Sequence, residues 1–336
     1  MSAPAPISMI TKAINRTLRA PARFAAYRRW LRRARSRSLA IVMYHGVTSI
    51  PLPIAHWCQM AAVEFEEQMR FLAHEYVVLP LPEVLRRLRN RKPLPERVAC
   101  ITFDDGFRNV CTTAYPILQR HHLPATVFVV TSLIGTGSPA WPELIYLAVA
   151  RTSQSSIDFD GRAWPLQTAE HRAIAFACFT ARLKTVENSR REQQLTELLA
   201  GLGAPSHIEP DSPLATMDWT EIQALSDGGL VTFGSHTHTH PILSRCTEET
   251  QRDELRVSRE LLLDRLGTAD LFAYPNGTRA DFAGATKRLL HQLGYICGVS
   301  SIPGLNTRTA DVYELRRVNV GADMRWPQFE MAMAGI

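Results

Sequence analysis

Residues 98–106 read Val-Ala-Cys-Ile-Thr-Phe-Asp-Asp-Gly, and this stretch decides the fold prediction. The run from Val98 to Phe103 predicts a short buried strand, and two adjacent carboxylates follow where that strand ends. Asp104 and Asp105 would repel each other once desolvated, so this position favours either a turn or a bound cation. Polar groups at the carboxyl end of a buried strand are typical of active sites in parallel barrels.

The same pattern, a short β-branched run followed by polar residues, recurs on both sides of this stretch. Longer helical patterns separate the runs, near residues 61–74, 82–90, 109–121, 247–266 and 280–292, with Thr247 as a predicted N-cap. The alternation predicts an α/β fold with a parallel sheet or barrel. The predicted strands are Leu39–Tyr44, Val98–Phe103, Thr126–Thr131, Leu230–Phe233, Leu271–Ala273, Ile296–Val299 and Leu315–Val320.

One interval breaks this alternation. Residues 135–217 contain no convincing strand, only a helical stretch around residues 170–199 between Gly/Ser/Pro-rich flanks. So long a segment between two strands predicts a largely helical insertion over the active-site face, which could be a lid, a substrate platform or an oligomer contact. Asp158–Gly161 within it is predicted to be a turn, because the later ligands of a calcium loop are missing.

Composition places the chain among globular proteins. Of its 336 residues, 46% are hydrophobic and 21% charged, and no apolar run approaches the ~18 residues of a membrane span. The six cysteines are scattered without a Cys-x-x-Cys pair, which argues against a disulfide framework. The first thirty residues lack the apolar core of a signal peptide, so the sequence predicts a cytoplasmic location.

The net charge of +6 arises from the N-terminal arm, residues 1–38, which holds ten basic and no acidic side chains. The rest of the chain is mildly acidic, which disfavours a nucleic-acid partner. Phe24, Tyr27, Leu31 and Ala34 recur at helical intervals opposite arginines, which predicts a basic amphipathic helix. Such a helix is typical of contact with an anionic membrane, here its inner face, although a helix docked on the body or a basic tail is also compatible.

His236 and His240 form a His-x-x-x-His pair after the strand at residues 230–233. On a helical turn their rings would share one face, which is the spacing of two imidazoles on one metal ion. A hydrolytic metal site needs a third protein ligand, which Asp104 or Asp105 can supply, with the other carboxylate left as a general base. The alternative is a solvated turn or core histidines.

Three segments resemble the first signature motifs of the NodB-type polysaccharide deacetylases, carbohydrate esterase family 4. They are Thr102–Gly106, His236–His240 and Phe272–Gly277, each after a predicted strand and in the family's order. The resemblance covers residues 39–325 apart from the insertion, and it leaves 326–336 as a C-terminal segment. It implies a deformed (β/α)7 barrel and metal-dependent removal of N-acetyl groups from amino sugars.

Carried over residue by residue, the resemblance gives Asp104 the role of catalytic base and Asp105, His236 and His240 those of metal ligands. His238 matches a variable position of the motif. Zinc suits two histidines and a carboxylate best, with cobalt, nickel, iron or manganese as alternatives. The third motif, Tyr274, Pro275 and Asn276, is expected to contact the substrate, with a backbone N–H near Asn276 stabilising the oxyanion.

Two departures from the family pattern narrow the resemblance. Ala273 stands where an arginine usually orients the catalytic aspartate, and the late Leu-x-His motif is absent. Both gaps resemble the branch that acts on poly-N-acetylglucosamine, in which a Tyr-His pair ending the first strand supplies the general acid. His45 matches that position. Arg317, ahead of Arg316, is the expected replacement for the orienting arginine. Only one of the two can point inward, because neighbouring strand residues face opposite ways, and the alternative is a surface pair.

The sequence therefore predicts an enzyme that hydrolyses N-acetyl groups on a polysaccharide or glycan precursor. An alternative is a deacetylase or deformylase of a lipid-linked or nucleotide-linked amino sugar, or of another small amide. A catalytically silent carbohydrate-binding module is a third hypothesis, which the full set of ligands and base argues against.

Overall fold

The structure is a computed structural model that describes residues 38–203 and 212–336. The predicted amphipathic helix of the arm lies outside the described residues. No helix in the described ranges is both long and apolar enough to cross a membrane.

Eleven strands lie in the described ranges, most of them in one parallel sheet. They are β1 (Leu39–Tyr44), β2 (Gly46–Thr48), β3 (Gln59–Ala61), β4 (Val77–Val78), β5 (Val98–Phe103), β6 (Ala125–Val129), β7 (Ser156–Phe159), β8 (Arg162–Pro165), β9 (Val231–Ser235), β10 (Val299–Pro303) and β11 (Leu315–Asn319).

The helices of the described ranges mostly alternate with these strands. They are α1 (Ala62–Glu75), α2 (Leu81–Arg89), α3 (Tyr115–Arg120), α4 (Trp141–Arg151), α5 (Ala169–Leu183), α6 (Asn188–Leu202), α7 (Trp219–Asp227), α8 (Glu248–Leu266), α9 (Gly284–Gln292) and α10 (Trp326–Met333). A π-helical turn (Val110–Ala114) precedes α3, and a 3-10 turn (Leu243–Arg245) precedes α8. Thr247 caps α8 as predicted, since its side chain accepts a hydrogen bond from the Thr250 amide.

The main sheet has the order β10-β11-β1-β5-β6-β9, and β4 adds to β5. Its central strands, β1 and β5, pair in parallel over their whole length, from Leu39 opposite Val98 to Tyr44 opposite Phe103. Every residue of both strands is buried. This explains why their sequences are continuous apolar runs, as expected for parallel strands covered on both faces.

The two outer strands of this sheet are connected through the segment Leu271–Ala273. Phe272 bridges Ser235 of β9, and Ala273 bridges Val299 of β10, both in parallel. Seven parallel segments therefore follow one another around a deformed α/β barrel. The predicted strand at 271–273 is present only as these single bridges. The predicted strand at 296–299 lies too early in the chain, since β10 begins at Val299.

The insertion differs from its prediction in one respect: it contains a hairpin. β7 and β8 pair in antiparallel, and the loop between them is Asp160-Gly161, both with positive φ. This is the geometry of a tight two-residue hairpin turn, so the turn predicted at Asp158–Gly161 is confirmed. The strands were missed because their residues are exposed or half-buried and carry no apolar run.

Candidate active site

The carboxyl ends of the barrel strands converge on one cavity of about 400 Å³. His45 follows β1, Asp104 and Asp105 follow β5, and His236 follows β9; all four line the cavity. The fold thus collects residues that lie up to nearly two hundred positions apart in the chain.

Asp105, His236 and His240 form a buried cluster whose ligand atoms all lie within 4.8 Å of one another. Asp105 Oδ1 is 3.5 Å from His236 Nε2 and 3.4 Å from His240 Nε2. Two atoms bound at about 2.0–2.2 Å to one tetrahedral zinc ion lie roughly 3.3–3.5 Å apart. The spacing of this cluster therefore fits a single metal ion.

The hydrogen bonds around the cluster also leave its ligand atoms available to a metal ion. His236 Nδ1 lies 2.8 Å from the Ala273 carbonyl oxygen, which can only accept, so Nδ1 carries the hydrogen and Nε2 presents a lone pair. Asp105 Oδ1 is buried and has no hydrogen-bond partner among the described residues. A buried carboxylate oxygen facing two imidazoles in this way suits a cation.

The loop that carries the two histidines corrects the sequence prediction of a helical turn. Residues 236–240 are not helical, and Thr237 and His240 have φ values of 68° and 62°, in the left-handed region. The Thr237 hydroxyl accepts a hydrogen bond from the His240 amide at 3.0 Å, which holds the bend. The rings meet with centroids 4.9 Å apart because the loop folds back on itself.

His238, the middle histidine of this loop, is not part of the metal-ligand cluster. Its Nδ1 lies 3.0 Å from the Thr131 hydroxyl. Glu254 of α8 accepts hydrogen bonds from the backbone amides of His238 and Thr239, both at 2.8 Å, and from the Thr239 hydroxyl at 2.6 Å. Helix α8 therefore supports the loop through the Glu254 carboxylate.

Asp104 is bound by the guanidinium of Arg317. Arg317 donates from Nη1 to Oδ1 at 2.8 Å and from Nη2 to Oδ2 at 2.6 Å, and both side chains are almost fully buried. Arg317 Nε in turn donates to the Ser300 carbonyl oxygen at 2.7 Å. Arg316, its neighbour on β11, is exposed. The arginine expected from the sequence to orient Asp104 is the one that contacts it.

This pairing controls the ionisation of Asp104. Burial alone would raise the pKa of its carboxyl. The positive charge of Arg317 outweighs burial and lowers the pKa to about 2, and His236 and the hydrogen bonds from Arg317 act in the same direction with smaller effects. Asp104 is therefore ionised throughout the neutral range.

Asp105 behaves in the opposite way in the metal-free protein. Burial, reinforced by the nearby charges of Glu143 and Asp104, raises its pKa to about 7 against the opposing effect of His236. Its backbone φ of 68° lies in the left-handed region, so the chain bends at Asp105 directly after β5. Burial also lowers the pKa of His240 well below its ordinary value, so its imidazole is neutral, the form that binds metals.

His45 also lies at the cluster, with Nε2 3.9 Å from Asp105 Oδ2, and its ring packs edge-on against Trp57. Burial lowers the pKa of His45 to about 3, although Asp104 acts in the opposite direction. Its Nδ1 is buried without a hydrogen-bond partner in the described ranges. The imidazole is therefore neutral at pH 7 in the metal-free protein.

The third motif contributes less to the cavity than the sequence predicts. Tyr274 is buried against Phe282, its hydroxyl donates to the Tyr313 carbonyl oxygen at 2.7 Å, and neither it nor Pro275 lines the cavity. Both predictions of substrate contact disagree with this placement, because apolar packing turns these side chains into the protein. Asn276 does line the cavity, and its Nδ2 is buried without a partner among the described residues.

The sequence analysis missed the cavity residues that come from the insertion and from the loop after β2. They are His56, Trp57, Pro142, Glu143, Phe176, Thr180 and Lys184. Three of them, Phe176, Thr180 and Lys184, lie within the predicted helical stretch at 170–199, and nothing in the spacing of the others singles them out. Their part in the cavity depends on how α4 and α5 lie against the barrel.

The profile of the polysaccharide deacetylase family matches residues 91–297, which include the Asp104-Asp105 pair and the histidine loop. The chain belongs to the polysaccharide deacetylase family. It is an N-deacetylase, and its α/β barrel is the fold of that family.

Relatives with known names extend this comparison. YxkH of Bacillus subtilis (strain 168) is 22% identical over 302 residues, which cover 89% of this chain and 77% of that protein. The poly-beta-1,6-N-acetyl-D-glucosamine N-deacetylase of Staphylococcus epidermidis is 35% identical over 74 residues, 22% of this chain and 25% of that enzyme.

Solved structures show the same fold at low sequence identity. The Streptococcus pyogenes deacetylase PplD, in complex with acetate, has a TM-score of 0.60 at 19% identity and covers 88% of this chain and 98% of its own. IcaB from Ammonifex degensii has a TM-score of 0.57 at 18% identity, and the match covers 89% of this chain and 98% of the IcaB chain.

Proposed function

We propose that this deacetylase is a metal-dependent hydrolase that removes N-acetyl groups from the amino sugars of a polysaccharide or glycan precursor. The products are acetate and a free amine. One observation carries the proposal: a buried Asp105–His236–His240 cluster with the spacing of a single ion lies in the same cavity as an arginine-bound aspartate.

Asp105, His236 and His240 would hold the ion, with zinc the best fit to this donor set. A bound divalent ion of this kind lowers the pKa of water and polarises a carbonyl oxygen.

Asp104 acts as the base that takes a proton from the attacking water. Each of its oxygens accepts one hydrogen bond from Arg317 and keeps a second lone pair for that proton. The low pKa makes Asp104 a weak base, but it is ionised at every working pH, and Arg317 holds it in one orientation.

Attack of the water oxygen on the acetamide carbon produces a tetrahedral oxyanion, and the C–N bond then breaks as the amine takes up a proton. His45 is the proposed donor of that proton. Because burial keeps its imidazole neutral, His45 first takes up the proton that Asp104 has removed from the water and then passes it to the amine, which leaves Asp104 ionised again. The free Nδ2–H of Asn276 is a donor available to the substrate in the same cavity.

The relatives support the choice of substrate class. The named staphylococcal relative acts on poly-beta-1,6-N-acetyl-D-glucosamine, and we propose an N-acetylated glycan of related chemistry here. A cytoplasmic location, contact of the arm with an anionic membrane, and the absence of a nucleic-acid partner stay predictions from the sequence.

A second candidate substrate is a lipid-linked amino sugar. A groove of about 800 Å³ adjoins the catalytic cavity and shares His56, Trp57 and Phe176 with it. Its other lining includes the apolar side chains of Ile50 and Leu52. An apolar chain attached to the sugar would fit such a surface.

The test is an acetate-release assay with elemental analysis of the purified protein. We expect about one divalent ion per chain, loss of activity on chelation and its return when zinc is added back. N-acetylglucosamine oligomers and a lipid-linked N-acetylated monosaccharide, assayed side by side, separate the two substrate candidates. Activity that survives complete removal of metal would refute the metal-dependent mechanism.

A further inference from the structure

The insertion and the loop after β2 place a second group of polar side chains in the wall of the catalytic cavity. Glu143 lies in the first turn of α4, Thr180 lies in α5, and His56 lies in the loop between β2 and β3. All three line the cavity that also holds Asp104 and Asp105. The mechanism proposed above uses none of them.

Glu143 and His56 are buried and Thr180 is half-buried, and each has one buried polar side-chain atom without a hydrogen-bond partner in the part of the chain that the structure describes. The Glu143 and His56 side chains are only 4% and 1% exposed, and Glu143 Oε1 lies 3.9 Å from His56 Nε2, too far for a hydrogen bond. Within the described residues, Glu143 Oε2, His56 Nε2 and Thr180 Oγ1 have no hydrogen-bond partner. A buried polar atom that stays unpaired destabilises the folded state, so the clustering of three such atoms on one side of the cavity indicates a binding site.

The chemistry of the three groups defines the ligand. His56 Nδ1 accepts a hydrogen bond from the Cys58 amide at 3.2 Å, so Nε2 carries the hydrogen and is a donor. The ring is held between Tyr146 and Phe176, with centroids 4.6 and 5.3 Å away. A hydroxyl group of a ligand can donate a hydrogen bond to the Glu143 carboxylate and accept one from His56 Nε2 at the same time. It would therefore give each of the two side chains a hydrogen-bond partner.

Charge disfavours a cationic amine in this position. Lys184 lines the same cavity, and its positive charge acts on the Glu143 carboxyl. A neutral ligand rich in hydroxyl groups therefore fits better than the free-amine product.

We propose that Glu143, His56 and Thr180 form a subsite that binds hydroxyl groups of the sugar whose acetamide is hydrolysed, and that this subsite helps to determine which sugars are accepted. The inference rests on the proposed function, because it assigns a substrate contact to the same cavity.

The first experiment measures KM and kcat on N-acetylglucosamine oligomers for Glu143→Gln and Thr180→Val. Loss of a hydrogen bond to a charged group corresponds to about tenfold or more in affinity, so Glu143→Gln is expected to raise KM about tenfold, with kcat within about twofold and metal content unchanged. Thr196→Val is the matched control, because Thr196 is an exposed threonine on α6 of the same insertion.

The second experiment repeats these measurements with monodeoxy analogues of the sugar. If a hydroxyl binds Glu143, the analogue that lacks it loses affinity in the wild type but shows little further loss in Glu143→Gln. Additive losses for every analogue would overturn the subsite. An unchanged KM, or a fall in kcat alone, would also overturn it.

Calorimetric titration of the same oligomers separates failure of this inference from failure of the proposed function. If the wild type releases no acetate from any glycan, the proposed function fails, but a weaker affinity of Glu143→Gln for the oligomer still supports the subsite. If the wild type is active and both variants bind and react like it, only the subsite is refuted.

Discussion

The Asp104–Arg317 pair is a single buried contact that stabilises the fold and, in the proposed mechanism, also orients the catalytic base. A bidentate ion pair fixes the plane of the carboxylate, which a lone buried aspartate could not do. The pair also relieves the cost of burying either charge. The two functions can be separated by changing one partner at a time.

Asp104→Asn should still bind the metal but should have a much lower kcat. The amide keeps the size of the side chain but cannot take a proton, and general-base catalysis is worth about 10²–10⁴-fold. We expect kcat to fall by that factor, with the metal content of the purified variant unchanged. A kcat close to that of the wild type would show that another group is the base.

Arg317→Met should destabilise the protein by about 3–5 kcal/mol, because it leaves the Asp104 carboxylate buried without its partner. The matched control is Arg316→Met on the same strand, whose exposed side chain should change stability by no more than about 0.5 kcal/mol. The free energy of unfolding, measured with urea, decides between them. Equal losses in both variants would contradict the asymmetry of the two arginines.

Asp105 should make the stability of the metal-free protein depend on pH. Its folded pKa is raised to about 7, above the unfolded value of about 3.9, so the folded state prefers the protonated carboxyl. The stability that Asp105 contributes is therefore present at low pH and is lost as pH rises through 7. We expect the Tm of the chelated protein to fall between pH 5 and 8.

The control for this pH dependence is Asp105→Asn, in which the component that Asp105 contributes should disappear. Burial raises the pKa of Glu143 to about 7 as well, so the comparison is best made in a Glu143→Gln background. An identical fall of Tm with and without Asp105 would assign the effect to another group.

At the scale of elements, helix α8 determines the geometry of the histidine loop. Glu254 accepts three hydrogen bonds from residues 238 and 239, and Ser258 bonds the Ser235 hydroxyl at 2.7 Å where β9 ends. Two residues with left-handed φ need such support, since this conformation is costly outside glycine.

Glu254→Ala should weaken metal binding by about 10–100-fold, the usual effect of removing a group that orients metal ligands. The rate per bound metal should change little, because Glu254 does not contact the cluster. Competition with a chelator measures the affinity, and Glu260→Ala on the exposed surface of the same helix is the control. Equal metal affinities in the two variants would show that the loop holds its shape without α8.

At the scale of the whole molecule, the insertion and the barrel share one hydrophobic core. The buried cluster that contains Val42 and Phe103 of the barrel also contains Phe179 and Leu198 of the insertion. In addition, the Tyr146 hydroxyl of α4 donates to the Ile54 carbonyl oxygen of the barrel at 2.8 Å. The cavity lies where these two parts meet, so its shape depends on both.

Phe179→Ala should therefore destabilise the whole chain. Replacing a buried phenylalanine by alanine costs about 3–5 kcal/mol, and we expect one unfolding transition, shifted as a unit in both tryptophan fluorescence and far-UV circular dichroism. Ile174→Ala, whose side chain is 50% exposed on the same helix, is the control. Two transitions, of which only one moves, would show that the insertion folds separately.

The two central strands, β1 and β5, could be predicted to the residue, whereas the equally buried β6 begins one residue and ends two residues earlier than predicted. Leu39–Tyr44 and Val98–Phe103 are continuous apolar runs because helices and barrel interior cover them. The hairpin in the insertion could not be predicted, since its strands are only four residues long, are exposed or half-buried and contain no apolar run. The segment at 271–273 has strand-like residues but makes only single bridges.

Within the site, the residues of the Asp105–His236–His240 cluster could be predicted, but the geometry of the loop that carries the histidines could not. The spacing of His236 and His240 suits a helical turn as well as a loop, and only the left-handed φ values at Thr237 and His240 distinguish them. Tyr274 belongs to the same motif as Asn276, but it packs against Phe282 and does not line the cavity.

The amino-acid sequence by itself determined the two central barrel strands, the acid pair that ends β5 and the histidine pair that lies with Asp105, because these depend on local hydrophobic runs and on chemical type. Only the tertiary structure decided that Glu143, His56 and Thr180 reach the same cavity, and that both guanidinium nitrogens of Arg317 reach Asp104. Those contacts join parts of the chain that are distant in sequence, and helix packing brings them together without leaving a periodic pattern in the residues.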